Sequence, residues 1–264
     1  MRRTTTAAAA LSLALPLLAG CGSSSTPAAT AGAGRSGAPA LSGTITVLAA
    51  SSLKEAFTTI GQQFEAAHPG VKVVFSFAAS SDLSTQITSG SPADVFASAS
   101  AKNMTQVIDA GAASAPTTFA KNVMEIALPP ANPGNITALA DLAKAGVKLA
   151  LCQAQVPCGS TAAKVFTNAR LTVTPVTLEP DVKSVLAKVE LGEVDAGMVY
   201  VTDVRAAGDK VKGVEIPADV NASTSYPIAA LTKAANAALA QAFVGYVLSA
   251  DGASVLAADG FAKP

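Results

Sequence analysis

Residues 43–57 read GTITVLAASSLKEAF, and this stretch decides the fold class. Its first seven residues, up to Ala49, are mostly β-branched or apolar, which is typical of a buried strand. The apolar residues that follow, Leu53, Phe57 and Phe64, recur at the spacing of an amphipathic helix. A strand that passes directly into a helix is the first half of a β–α–β unit, so the stretch predicts a parallel sheet covered by helices.

The same alternation of strand and helix patterns continues to the C-terminus. Further strands are predicted at residues 71–77, 93–97, 123–128, 147–151, 173–177, 196–200, 214–216 and 226–231. Helices are predicted from about residues 52, 83, 102, 139, 161 and 182, and two more lie between 234 and 258 with a break near 251–252. The folded part, about 220 residues, is long enough for two small lobes. We predict an α/β protein in which each lobe is a mixed, mostly parallel sheet flanked by helices.

The first 21 residues have the pattern of an export signal. Arg2 and Arg3 precede an apolar run from 7 to 20, and small residues converge on Cys21. The run is shorter than the roughly 20 residues that a permanent membrane span needs. Its ending, Leu-Ala-Gly-Cys, resembles a bacterial lipobox, which predicts a signal peptide over residues 1–20 and lipid on Cys21. The alternative is an ordinary signal peptide with a chance cysteine.

Residues 21–40 are predicted to be a flexible tether that begins at the lipidated cysteine. They are almost entirely Ser, Thr, Pro, Ala and Gly after Cys21, a composition with too little large apolar surface to offset the entropy of ordering. We therefore expect the folded part to begin near Leu41. We also expect an extracytoplasmic protein that is held at the cell membrane by its lipid alone.

The charge of the chain argues against one class of partner. Its 18 basic and 18 acidic residues give a formal net charge of zero, and the sequence contains no basic stripe of the kind that nucleic acid requires. We expect no nucleic-acid partner, no membrane contact apart from the lipid, and a monomer.

Two cysteines remain once Cys21 is assigned to lipid. Cys152 and Cys158 are separated by a turn that contains Pro157, and disulfides persist in exported proteins. A bridge between them is therefore predicted. Free thiols are one alternative, and a metal site is a weaker one because two thiols and the single His68 do not complete a usual zinc ligand set.

Four predicted strand-to-helix junctions carry small, hydroxyl-bearing or helix-capping residues, at positions 50–53, 79–82, 156–160 and 181–183. Ligands of open α/β sheets bind beyond the carboxyl ends of strands. A helix N-terminus offers unpaired N–H groups and the positive end of a dipole, which together suit an anion. The alternative at each junction is a simple cap: Ser52 and Glu55 fit a capping box, and Asp181 fits an N-cap.

Patterns typical of enzymes are weak in this sequence. The single histidine, His68, falls in a polar helix-ending turn, where a surface residue is expected rather than a general base. No glycine pattern for dinucleotides and no glycine–lysine phosphate loop occurs. We therefore predict no enzymatic activity and no cofactor. A secreted serine hydrolase that uses one of the serine-rich turns is the alternative from a different class.

Six segments form an ordered set from Gly43 to the C-terminus: ITVLAASSL (45–53), SFAASSDL (76–83), GSPADVF (90–96), VPCG (156–159), GMVY (197–200) and YPI (226–228). Together they resemble the periplasmic molybdate-binding proteins of ABC transporters, which have the two-lobed type II solute-binding fold. The resemblance implies one lobe from residues 41–122 plus 226–264 and another from 123–225. The crossings near Asn122 and Ser225 would then form a hinge.

The resemblance also implies a set of anion-binding residues. The family's contacts correspond to Ser52 and Ser80 in the first lobe and to Cys158, Val182 and Tyr200 in the second. The family uses serine hydroxyls and N–H groups, backbone N–H groups at the third and fourth positions, and a tyrosine hydroxyl. A small residue such as alanine often replaces cysteine at the third position, which a backbone donor tolerates. For Tyr200 the alternative is an aromatic residue that packs in the hinge.

The function implied is that of a solute-binding lipoprotein that captures molybdate or tungstate and delivers it to an ABC transporter permease. A fully deprotonated tetrahedral dianion presents only acceptors, which suits a pocket made only of donors. Singly protonated phosphate also needs an acceptor for its own hydrogen, so we expect it to be rejected. Sulfate has the same charge and no proton, and only cavity size can exclude it. The nearest alternative is therefore the same fold binding sulfate or another oxyanion.

Overall fold

The computed structural model describes residues 41–264. The predicted signal peptide, Cys21 and the tether lie outside the described residues. The first part of the described chain contains β1 (Gly43–Ala50), α1 (Lys54–Ala67), β2 (Val71–Ala78), α2 (Ser80–Thr88), β3 (Val95–Ala97), α3 (Ala101–Asp109) and the long strand β4 (Thr117–Leu128). A short 3-10 turn, Ser51–Leu53, joins β1 to α1.

The second part continues the alternation. It contains β5 (Leu149–Cys152), α4 (Pro157–Asn168), β6 (Thr177–Glu179), α5 (Val182–Glu190), β7 (Ala196–Tyr200), α6 (Val201–Ala207), β8 (Lys212–Glu215), β9 (Ser223–Ala230), α7 (Ala237–Val247) and α8 (Ala250–Ala258). Two further 3-10 segments are Leu139–Ala143 and Gly208–Lys210. The strands and helices therefore alternate along most of the chain, as the sequence predicts.

The strands form one continuous path in the order β2-β1-β3-β9-β4-β7-β5-β6, with β8 also paired to β4. Pairings are parallel within the groups β2-β1-β3 and β7-β5-β6, and every pairing that involves β4 or β9 is antiparallel. Strand β4 pairs with β9 over residues 117–123 and with β7 and β8 over 124–128. One long strand thus passes from one parallel group to the other.

Each parallel group has its own hydrophobic core, which defines two lobes. Lobe 1 surrounds β1, where Val47 packs against α1 and α7 on one face and Leu48 packs against α2 and α3 on the other. Lobe 2 surrounds β5 and β7, with Leu149, Val185 and Met198 in its core. Because β1 is covered on both faces, it reads as a nearly continuous apolar run, which is the signature of a buried parallel strand. The predicted mixed α/β fold with two lobes is confirmed.

Several predicted element boundaries are wrong, each for a local reason. Helix α4 begins at Pro157 rather than near Thr161, because proline is well suited to the first helical position. Strand β6 begins at Thr177 rather than at residue 173; Pro175 has no N–H to donate to a strand ladder. Helix α6, directly after β7, was not predicted from the sequence.

The two C-terminal helices separate at Leu248–Ser249 rather than at residues 251–252. The Ser249 hydroxyl caps α8 by accepting a hydrogen bond from the N–H of Gly252. A Cβ atom on Gly252 would collide with the carbonyl oxygens at the end of α7, so the glycine permits the close contact between the helices. Among residues 41–264, no single helix is long and apolar enough to cross a membrane; α7 and α8 reach that length and composition only together, and they meet at an angle of 57°.

Candidate functional site

A small cavity lies where the first turns of several helices of both lobes converge. Its volume of about 10 Å³ is roughly the space that one water molecule needs, so the cavity suits only a very small, compact ligand. Its lining comprises Ala50, Ser51, Ser52, Ala78, Ala79, Ser80, Ala99, Pro157, Cys158, Asp181, Val182 and Tyr200. The structure therefore brings all five residues of the predicted anion set to one place.

Ser80 supplies a hydroxyl donor from lobe 1. It is the first residue of α2 and is fully buried. Its Oγ accepts a hydrogen bond from the N–H of Ala99 at 2.9 Å, and no protein acceptor takes the hydroxyl hydrogen in the described part of the chain. The first hydrogen bonds of the helix run from Asp82 and Leu83 to the carbonyl of Ala79. The N–H group and the hydroxyl of Ser80 are therefore both available to a ligand.

Ser52 is held by a chain of buried polar groups. Its Oγ lies 2.8 Å from the hydroxyl oxygen of Tyr226 on β9, and the Nδ2 of Asn122 on β4 lies 3.5 Å from the same hydroxyl. Asn122 also donates to Thr202 Oγ1 at 2.8 Å. When the tyrosine donates to Ser52, the serine hydrogen is free for a ligand. The capping-box alternative for Ser52 is wrong, since its side chain caps no helix.

The N-terminus of α4 presents the backbone of Cys158. Val156 and Pro157 open the helix, and the first intrahelical bond recorded there runs from Ser160 to Val156. The N–H of Cys158 therefore precedes the helical hydrogen-bond ladder. A disulfide joins Cys158 to Cys152 at the end of β5, with the two Cα atoms 5.8 Å apart, as predicted. The bridge attaches this first turn to the strand that precedes it.

The N-terminus of α5 isolates one backbone donor. Asp181 Oδ1 accepts hydrogen bonds from the N–H groups of Lys183 and Ser184, at 2.8 and 3.1 Å, and the Ser184 hydroxyl donates to Oδ2. Asp181 is thus the N-cap that the sequence predicts. No acceptor in residues 41–264 takes the N–H of Val182, which lies at the cavity. The Asp181 side chain therefore accepts the hydrogen bonds of the next two N–H groups and leaves the N–H of Val182 for a ligand.

Tyr200 contributes a buried aromatic hydroxyl to the cavity lining. It ends β7 and is 1% exposed, and its hydroxyl has no hydrogen-bond partner among the described residues. Burial raises the pKa of this hydroxyl well above its ordinary value, so it remains a protonated donor. A buried hydroxyl without a partner is costly, and this hydroxyl is available to donate to a ligand in the cavity.

The electrostatics of the cavity come from the backbone rather than from charged side chains. No lysine, arginine or histidine lines it in the described chain. The carboxylate of Asp181 is occupied by its cap, while helices α2, α4 and α5 direct the positive ends of their dipoles towards the cavity. The arrangement is a set of donors without a formal positive charge, suited to an anion that has acceptors only.

Other residues that the sequence singled out lie elsewhere. His68 ends α1, and its ring packs 4.6 Å from that of Phe64, away from the cavity. In residues 41–264, no three His, Cys, Asp or Glu side chains come together as metal ligands. The contributions of Asn122 and Tyr226 to the site were missed. Tyr226 belongs to the YPI segment at 226–228, but only the folded chain shows it beside Ser52.

Comparison with known proteins places the chain in a family. It matches the family model for bacterial extracellular solute-binding proteins over residues 45–262. It is 44% identical over 248 residues to the molybdate-binding protein ModA of Mycobacterium tuberculosis, covering 94% of this chain and 93% of that protein. It is 35% identical to ModA of Escherichia coli, covering 83% of this chain and 89% of that protein.

Solved structures agree on the fold. The periplasmic molybdate-binding protein of Azotobacter vinelandii superposes with a TM-score of 0.74 at 21% identity, covering 83% of this chain and 99% of that one. The sulfate-binding protein SubI of Mycobacterium tuberculosis gives 0.70 at 18% identity, covering 83% and 86%. The likeness to both proteins shows the two-lobed architecture and leaves the choice of anion open. With 44% identity across nearly its whole length and a family match that spans both lobes, the chain belongs to the bacterial extracellular solute-binding protein family.

Proposed function

We propose that this protein captures molybdate or tungstate between its two lobes and delivers it to an ABC transporter permease. The observation that carries the proposal is the donor set around the cavity, above all the buried, unpartnered hydroxyl of Tyr200. The proposed ligand contacts are Ser52, Ser80, Cys158, Val182 and Tyr200. The relatives named as molybdate-binding proteins support the choice of anion.

The donor set favours a fully deprotonated oxyanion. Ser80 and Tyr200 offer hydroxyl hydrogens, and Cys158 and Val182 offer backbone N–H groups. The one carboxylate at the cavity, that of Asp181, is engaged by backbone and hydroxyl donors of α5. Singly protonated phosphate would place its own hydrogen against donors, at a cost of roughly 1–3 kcal/mol. Phosphate should therefore bind much more weakly than molybdate.

Sulfate is the nearest competitor because it carries the same charge and no proton. A protein named as sulfate-binding has the same fold, so sulfate is the alternative ligand to test. We propose that cavity size makes the distinction, with the larger tetrahedral anions spanning the distance between the two lobes. Tungstate matches molybdate in charge and closely in size, so the two should bind comparably.

We further propose that capture closes the lobes about a hinge. In this proposal residues 41–122 plus 226–264 move against residues 123–225. The support is that β4 changes pairing partners at residues 123–124, and that β9 begins at Ser223. Lipid on Cys21 would keep the loaded protein at the membrane beside its permease.

Thermal melting of the chain from Leu41 onward, with each oxyanion in turn, tests the function. A ligand present at 100 times its Kd should stabilise the protein by about 2.7 kcal/mol. We expect that shift with molybdate and with tungstate, and little shift with phosphate. A shift with sulfate but none with molybdate or tungstate would assign the cavity to sulfate. Ester hydrolysis by the purified chain would instead support the hydrolase alternative.

A further inference from the structure

Lys183 lies between two carboxylates that belong to different lobes. Its Nζ is 2.7 Å from Glu55 Oε2 on α1 of lobe 1 and 3.0 Å from Asp203 Oδ1 on α6 of lobe 2. The lysine side chain is 20% exposed, that of Asp203 is fully buried, and that of Glu55 is 44% exposed. One ammonium group thus joins the lobes at their seam, next to both halves of the cavity.

The ion pair of Lys183 with Asp203, within lobe 2, supports the wall of the cavity at Tyr200. The second oxygen of Asp203 accepts a hydrogen bond from the backbone N–H of Tyr200 at 3.0 Å, and so fixes the end of β7. Burial raises the pKa of Asp203, and Lys183 acts in the opposite direction. Without the ammonium, a buried negative charge near an anion site would oppose binding. Lys183 therefore supports Tyr200 through Asp203 and offsets the carboxylate.

The contact between Lys183 and Glu55 of lobe 1 depends on the distance between the lobes. Glu55 lies three residues beyond Ser52, and its neighbours Ala56 and Phe57 pack in the lobe 1 core. Lys183 directly follows Val182, whose side chain packs in the lobe 2 core. Because the two ends are attached to different cores, their 2.7 Å contact requires that the lobes be close together.

We propose that Lys183 is a positioning residue for anion capture, and that its ion pair with Glu55 forms as the lobes close and slows release of the bound anion. The inference rests on the proposed function of the cavity. Lys183 does not line the cavity, so it acts through Asp203 and through lobe closure rather than by contact with the ligand.

Because Glu55 is partly exposed, its ion pair with Lys183 should have a modest effect on the rate of anion release. Exposed ion pairs contribute modestly to stability and are screened by salt. We expect loss of the pair to speed release of the anion by about two- to fivefold. The difference between the wild type and the variant should shrink as ionic strength rises.

The test follows release of radiolabelled molybdate from the loaded full-length chain after a chase with excess unlabelled molybdate. Glu55→Gln removes only the lobe 1 partner and leaves Lys183 paired with Asp203. The matched control is Glu193→Gln, which removes an exposed ion pair of 3.0 Å to Lys188 within lobe 2. We expect faster release from Glu55→Gln alone, while unliganded melting temperatures of both variants stay within about 1–2 °C of the wild type.

A second variant separates positioning from a purely structural role. Lys183→Arg keeps the positive charge and should retain slow release, whereas Lys183→Met should release faster than Glu55→Gln. The inference would be overturned if Glu55→Gln released molybdate at the wild-type rate. It would also be overturned if unliganded Glu55→Gln lost as much free energy of unfolding as its faster release implies for the loaded protein. If the wild-type chain retains molybdate and Glu55→Gln releases it unchanged, only this inference fails. If the wild-type chain retains none, the proposed function fails first.

Discussion

The hydroxyl oxygens of Ser52 and Tyr226 lie 2.8 Å apart, although 174 residues separate them in the chain. Ser52 follows the first strand of lobe 1 and lines the cavity, whereas Tyr226 lies on β9, beside the long strand that enters lobe 2. Their hydrogen bond is buried, and Asn122 on β4 lies beside it. The geometry of the cavity is therefore attached to the strands that connect the lobes.

Ser52→Ala should lower the stability of the unliganded protein slightly and should lower its affinity for the anion strongly. The variant removes the buried hydrogen bond to Tyr226, which costs about 1 kcal/mol, and it also removes one proposed ligand donor. Melting with and without molybdate measures both effects. If the ligand-induced shift stays at its wild-type size, Ser52 has no role in binding.

Tyr200→Phe should separate ligand binding from folding more cleanly. Its hydroxyl has no partner among the described residues, so its removal should leave the unliganded melting temperature unchanged or raised. The loss of a donor to a charged ligand should weaken binding by about 1.5–3 kcal/mol. Isothermal titration with molybdate measures the loss, and wild-type affinity would contradict the proposed contact.

Val182→Pro tests whether the backbone N–H of residue 182 binds the ligand. Proline is well tolerated at the first position of a helix, and the preceding Asp181 already has the extended backbone that proline favours, with φ −155° and ψ 171°. The variant should fold and lose affinity. Val182→Ala is the matched control: it keeps the N–H, so it should lose some stability from the lobe 2 core but retain its ligand-induced shift.

Replacing both cysteines of the disulfide with alanine should destabilise the unliganded protein by about 2 kcal/mol, since the bridge closes a short loop. The N–H of residue 158 remains in this variant, but the first turn of α4 is no longer attached to β5. We expect weaker rather than absent molybdate binding. Chemical denaturation and titration measure the two effects, and unchanged affinity would show that the bridge does not organise the site.

Glu125 should make the stability of the protein depend on pH. Burial, together with the facing Glu215, raises the pKa of Glu125 to about 7, above that of an exposed glutamate. The folded state then binds more protons than the unfolded state between about pH 4.5 and 7. Its contribution to stability is therefore present at low pH and is lost as pH rises towards 7. Glu125→Gln should melt at a higher temperature than the wild type at pH 8, with a smaller difference at pH 5; an equal difference at both values would refute this.

Much of the cavity was predictable because helix N-termini leave local signals. Asp181 precedes an amphipathic helix, and the structure shows it as the N-cap. Ser80 and Cys158 likewise lie at the first turns of helices. The sequence pattern predicts the wrong role where a residue fits two local structures. Ser52 and Glu55 fit a capping box, yet in the folded chain they contact Tyr226 and Lys183 instead.

The sequence by itself determined most of the order of strands and helices, the two α/β lobes and several of the first helical turns, because hydrophobic periodicity and capping residues act over a few neighbours. Only the tertiary structure decided which of those turns meet at one cavity, that the Tyr200 hydroxyl is left without a partner, and that Lys183 bridges Glu55 and Asp203. Those relationships join residues far apart in the chain, and they depend on how β4 and β9 bring the two cores together.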